Sequence, residues 1–137
     1  MKEEIFLVNC KNIVDKLFEI LEIELEELTH QEKELLIAYS FGMISTMVEE
    51  KKLVPDIEYL GIKKIITEVF QYSKQEANNI LKKLMDSGKE GGDEAFNIMV
   101  HQGKFVYPKY KANNYNEVYD RLTNIIDVVV SGEYRNY

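Results

Sequence analysis

Leu35 to Val48, reading LLIAYSFGMISTMV, is a run of fourteen residues without a charge, and it limits what this chain can fold into more than any other stretch. Glu32, Lys33 and Glu34 precede it, and Glu49 to Lys52 follow it. Leu36, Tyr39, Met43 and Met47 recur at helical spacing, while Ile37, Phe41, Ile44 and Val48 fall on a second face. A helix apolar on several faces is surrounded by neighbours rather than laid on a surface. Ala38, Gly42 and Thr46 add a stripe of small residues where another helix can come close. The run falls short of the ~18 apolar residues of a membrane span. The expectation is an all-α protein: one domain over residues 1–137, with about six helices around a buried central helix at 30–52.

The remaining helices follow from periodicity and caps. Leu7, Cys10, Val14, Leu17 and Leu21 predict a first helix over 4 to about 25. The alternating EIELEEL that follows is taken as helical or fraying, because glutamate disfavours strand. Thr29 with Glu32 forms a capping box for the central helix, and Pro55 marks its exit. Asp56 is expected to cap a third helix, bent at Gly61. Ser73 with Glu76 should open a fourth, ended by Ser87-Gly88. Asp93 should cap a fifth helix ending near Gly103, followed by an irregular KFVYPKYKANNY. Asn114 with Glu117 should cap the last, and the tail GEYRNY is expected to be loose.

Charge is unevenly spread. Of a net charge of −7, residues 1–60 carry 14 acids against 6 bases, and residues 61–137 carry 10 against 11. An acidic surface repels nucleic-acid phosphates and anionic membranes and attracts basic proteins. The N-terminus has acids where a signal peptide is basic, and a lone Cys10 permits no internal disulfide, so a cytoplasmic setting is expected.

Catalytic signatures are missing: there is no GxGxxG, Walker loop, GxSxG, HExxH or cysteine pair. His30 and His101 lack partners at metal-ligand spacing, and Cys10 on an inward face reads as a buried thiol. No cofactor or metal is expected, and the chain reads as a non-enzyme. A helical enzyme using paired carboxylates is the weakest alternative, because the glutamates here look solvated.

Three features read as binding surfaces. The first is the acidic stretch from Glu19 to Glu34, with Glu22, Glu24, Glu26, Glu27, Glu32 and Glu34 expected to converge on one corner and steer a basic partner. The second is the aromatic-basic region after Gly103, where Tyr107 and Tyr110 are candidate anchors and Tyr119 is expected to cover the core. The third is residues 62–88, which have the rhythm of a helix-turn-helix. Lys74, Gln75, Asn78 and Asn79 would be its reading side chains, although the acidity and the lack of any arginine before Arg121 oppose DNA binding.

The central IAYSFGMIS with its acidic lead-in, the Pro55 break and the Phe105-Val106-Tyr107 segment resemble a family of bacterial polymorphic-toxin immunity proteins, immunity protein 48, over roughly residues 30–110. That resemblance implies a small helical cytosolic protein, made beside a toxin gene, that binds the toxin and blocks it. It carries no functional motif over to named residues. Toxins that attack nucleic acid need basic clefts, so an acidic inhibitor is physically sensible. The expected partner is therefore a cognate toxin domain, with membrane binding excluded and nucleic acid disfavoured. A helix-turn-helix regulator is the alternative.

Overall fold

In the computed structural model, which describes residues 2–133, Thr29 starts the central helix as expected. Its hydroxyl accepts the Glu32 N–H at 3.1 Å, and the Glu32 carboxylate accepts the Thr29 N–H at 2.9 Å. That helix, α2 (His30–Glu50), follows α1 (Glu3–Leu21) and a short 3₁₀ turn at Leu25–Glu27. Four more come after it: α3 (Ile57–Glu68), α4 (Lys74–Asp86), α5 (Glu94–Lys111) and α6 (Tyr115–Ser131). No strand occurs among the described residues. Every residue from Leu35 to Val48 except Thr46 is buried; Phe41 is 8% exposed and Met43 0%. The uncharged run is thus the middle of an all-α bundle, and α1, α3, α5 and α6 all pack against it.

Its closest neighbour is α5, and glycine is the reason. A Cβ on Gly42 would lie 2.0 Å from the Val100 carbonyl oxygen, and one on Gly103 would lie 2.0 Å from that of Tyr39. Two backbones meet where neither carries a side chain, so the small stripe on α2 is the crossing point. Gly61 has a related role and not the expected bend. α3 runs through it unbroken, and a Cβ there would meet the Cys10 sulfur at 2.8 Å.

Four boundaries differ from expectation. First, α1 stops at Leu21, where Glu22 turns left-handed (φ 54°). Beyond it Ile23, Leu25 and Leu28 are half-buried while Glu22, Glu24, Glu26 and Glu27 are exposed. The alternation therefore reports inward and outward faces of an extended and 3₁₀ segment, not a fraying helix.

Second, α5 does not end near Gly103 but runs on to Lys111 with Pro108 inside it. Proline removes a bond to the carbonyl of Lys104. Lys104 and Pro108 are both exposed, while Val106 and Tyr107 on the other side are buried. Packing of the buried side outweighs the broken bond.

Third and fourth, neither Asp56 nor Asn114 caps through its side chain. Asp56 already has helical angles, and the turn before it satisfies the leading N–H groups through Val54 and Pro55 carbonyls. At Asn114 the N–H is taken up in closing α5, by the Lys109 carbonyl at 3.0 Å. The Ser73–Glu76 box and the Asp93 cap form as expected. The expectation for GEYRNY falls, from Tyr134 onward, outside the described residues.

Candidate functional site

The first and last helices lie side by side, and the seam between them gathers two of the three features singled out in the sequence. Three shallow basins lie on and beside it: one between α1 and α6, one between the Leu21–Leu28 segment, α2 and α6, and one between α1, α2 and α5 that α6 reaches only through Tyr115. The middle one, about 400 Å³, lies between Lys16, Glu19, Glu22 on α1 and Tyr115, Asn116, Tyr119 on α6. The second, about 310 Å³, shares Leu21 and Tyr119 with it and continues over Ile23, Leu28 and Leu36 to Ile126. The third, about 300 Å³, shares Tyr115 and continues past Asn12 and Tyr110 to the floor made by Tyr107. The residues they share set the three in a row, here called the trough, acidic at one end and rich in tyrosine and amide at the other.

Each side chain lining the trough has a local reason for its place. Along α6, Tyr115, Tyr119, Thr123 and Ile126 follow one another by four, four and three residues, one stripe of a helix surface. Tyr119 is 45% exposed on that stripe, which corrects the expectation that it covers the core. Tyr115 is held by Lys16, whose ammonium lies 4.6 Å from the ring centroid and 3.0 Å from the Glu19 carboxylate. Tyr107 stacks on Tyr110 with centroids 6.1 Å apart. Tyr107 is 3% exposed, so it offers only an edge, and burial pushes its phenol up to about 12. Tyr110 is half-buried and is the more accessible of the pair.

The six glutamates are not brought to one corner. Glu22, Glu27 and Glu32 border the trough, and Glu24 and Glu26 are exposed on the adjoining loop. Glu27 is fixed by accepting the Glu24 N–H at 3.0 Å. Glu34 belongs elsewhere. Two residues beyond Glu32 on one helix, it is turned about 200° round the axis. It accepts from the Lys83 ammonium at 3.2 Å and lies 3.6 Å from His30. Lys83 also pairs with Asp93 at 3.4 Å, so the group ties α2, α4 and α5 together. His30 completes it with a 2.8 Å hydrogen bond to the Tyr72 hydroxyl. This is a structural clasp, and it removes Glu34 from the acidic face.

Lys74, Gln75, Asn78 and Asn79 are all exposed on the first half of α4, which follows α3 after a short turn. Glu76 shares that turn of helix. Its carboxyl is held below the usual range by the Ser73 backbone N–H it accepts. Cys10 is fully buried, and burial pushes its thiol up to about 12, which makes it a poor nucleophile. Among the described residues no group of three or more His, Cys, Asp or Glu is placed to hold a metal ion. No helix among them is long and apolar enough to cross a membrane.

Sequence reasoning counted Tyr115 and Tyr119 in the aromatic-basic region without making them anchors, and missed Ile126 and Asp127 as trough residues. The four-four-three spacing along α6 was visible, but nothing in it says which helix that stripe faces.

The fold is an all-α bundle whose tyrosines and glutamates line a row of surface basins. The family model described as Immunity protein 48 matches residues 6–130. The chain belongs to the immunity protein 48 family, as the residues of the central helix suggested, and it is an immunity protein with a toxin as its protein partner. No curated protein and no solved structure matches it.

Proposed function

We propose that this immunity protein neutralises its cognate toxin without chemistry of its own, by occupying the toxin's active cleft or a neighbouring surface with the α1–α6 trough. The observation that carries the reading is that acidic residues from 19–32 and tyrosines from 107–119, far apart in sequence, line one row of adjoining basins. Glu22, Glu24, Glu26 and Glu27 steer the encounter, and Tyr110 and Tyr119 make contact, with Tyr107 behind them. Glu34 contributes through the clasp that holds α2. An acidic face suits a basic toxin, and a nucleic-acid-attacking domain has such a cleft. The whole chain acts as one folded unit in the cytoplasm of the producing cell. A standard interface takes about 800 Å² per partner, roughly a tenth of the 7933 Å² surface.

The test is co-expression and co-purification with the toxin encoded beside this gene. Neutralisation should fail for a Glu22→Lys, Glu27→Lys double variant, and the wild-type association rate should fall steeply with salt. Association that does not change between low and high salt would remove the steering role.

The second reading, a helix-turn-helix regulator, has in its favour the exposure of Lys74, Gln75, Asn78 and Asn79 on α4. The Glu76 carboxylate among them works against phosphate binding. A gel-shift with duplex DNA separates the two readings: binding abolished by Lys74→Glu would support the regulator.

A further inference from the structure

Of the three basins, the one between the Leu21–Leu28 segment and α6 differs in kind. Its floor is apolar: Leu21, Ile23, Leu28, Leu36 and Ile126, with the Tyr119 ring as one wall. Its rim carries Glu27, Glu32 and Asp127 and no base, whereas the neighbouring basins include Lys16 or Lys51 and Lys111. None of the three rim carboxylates is in an ion pair among the described residues. Two of them are nonetheless fixed, Glu27 by the Glu24 N–H at 3.0 Å and Glu32 by the Thr29 N–H at 2.9 Å. A carboxylate already immobilised by its own chain loses little freedom when a cation meets it. A greasy floor rimmed by three uncompensated carboxylates, two of them fixed, is complementary to one kind of visitor.

We propose that this basin seats a large apolar side chain of the toxin that is flanked on the toxin's own chain by lysines or arginines. The apolar side chain fills the roughly 310 Å³ over Leu36 and Ile126, and the flanking cations meet Glu27, Glu32 and Asp127. The inference rests on the toxin-binding reading and adds what the bound segment must look like. A second copy of this chain is a poor occupant, because it would bring two acidic rims together.

The probe is a synthetic helical twelve-residue peptide with one tryptophan flanked by lysines, titrated into the full-length labelled protein and followed by amide chemical shifts. Two companions keep the same length, one with serine for tryptophan and one with glutamate for lysine. The expected result is binding by the first alone, with shifts centred on Leu21, Ile23, Leu28 and Ile126. Thr123→Trp, which fills the basin from α6, should weaken it at least about tenfold, as loss of an anchor position does. Asp127→Lys should weaken it comparably, and Glu94→Lys, the same charge change on α5, should not.

Equal binding of the serine peptide, or equal loss with Glu94→Lys, would show attraction to bulk charge only and overturn the proposal. Self-association that Asp127→Lys alters would assign the basin to a second copy and overturn it too. Neutralisation of the toxin encoded alongside separates the two levels. If wild type protects and Thr123→Trp protects equally, the basin proposal falls and the toxin-binding reading stands. If wild type gives no protection, that reading falls, and the peptide result still decides what the basin accepts.

Discussion

Replacing Gly103 by alanine attacks the contact that sets the distance between α2 and α5. The new Cβ would lie 2.0 Å from the Tyr39 carbonyl oxygen and 3.2 Å from the Gly42 Cα, where ordinary contact begins near 3.4 Å, so the first pair must separate by about 1.4 Å. Neither obstacle can swing aside, because both belong to helix backbone. Widening a packed interface by about 0.5–1 Å forfeits a quarter to a half of the dispersion energy of each contact there. Overpacking costs about 1–3 kcal/mol and more where the backbone resists, here about 3–4 kcal/mol because backbone meets backbone. Alanine in place of glycine returns about 1 kcal/mol of helix propensity. The net expectation is a loss of about 2–3 kcal/mol, which lowers Tm by about 10 °C for a chain of this size.

Thermal unfolding followed by circular dichroism reads this directly. Gly88→Ala is the control, since its nearest neighbour would be Asn97 Oδ1 at 3.8 Å, and it should leave Tm almost unchanged. Gly42→Ala presses on the same crossing from the other side, so the double variant should lose less than the two single losses combined. A Gly103→Ala protein melting within about 2 °C of wild type, less than 1 kcal/mol, would refute the close-packed crossing.

Other substitutions test separate parts of the structure. Burial raises the Glu58 carboxyl above its usual range despite a hydrogen bond from Ser45, so its ionised form opposes folding at neutral pH. Glu58→Gln should raise Tm at pH 7, and the gain should vanish as pH falls through the carboxyl range, where wild-type Glu58 is protonated and the raised pKa works in favour of folding. The Tyr39 hydroxyl is buried without a hydrogen-bond partner among the described residues. Tyr39→Phe should therefore be neutral or stabilise by about 1 kcal/mol in denaturant titration, and a loss above that would mean the hydroxyl is satisfied. Lys52 ends α2 in the left-handed region (φ 55°), with the Leu53 N–H reaching back to Val48. Lys52→Gly should stabilise by about 1 kcal/mol, and a destabilised variant would show the turn is not strained.

What could be read from the residues alone followed from local rules. The fourteen uncharged residues admitted only a surrounded helix. Thr29–Glu32 and Ser73–Glu76 announced themselves as capping boxes because both partners lie within one turn. Pro108 misled because its local cost is real, and the buried Val106 and Tyr107 that outweigh it count only once α2 is in place. The glutamates misled in a different way. Glu32 and Glu34 look adjacent in a linear stretch, yet a helix turns them to different sides, and Lys83 from 49 residues away claims one of them. The trough itself lay beyond reach, since no pattern in α6 names α1 as its neighbour.

That pairing of α1 with α6 also has a bearing on timing. A ribosome releases the Leu21–Leu36 wall well before the Tyr115–Ile126 wall, so a chain interrupted between them owns half a trough. Protection, if it depends on this face, begins only once both walls have been made. A cell making a toxin at the same moment would then depend on a reserve of completed molecules rather than on ones still being translated.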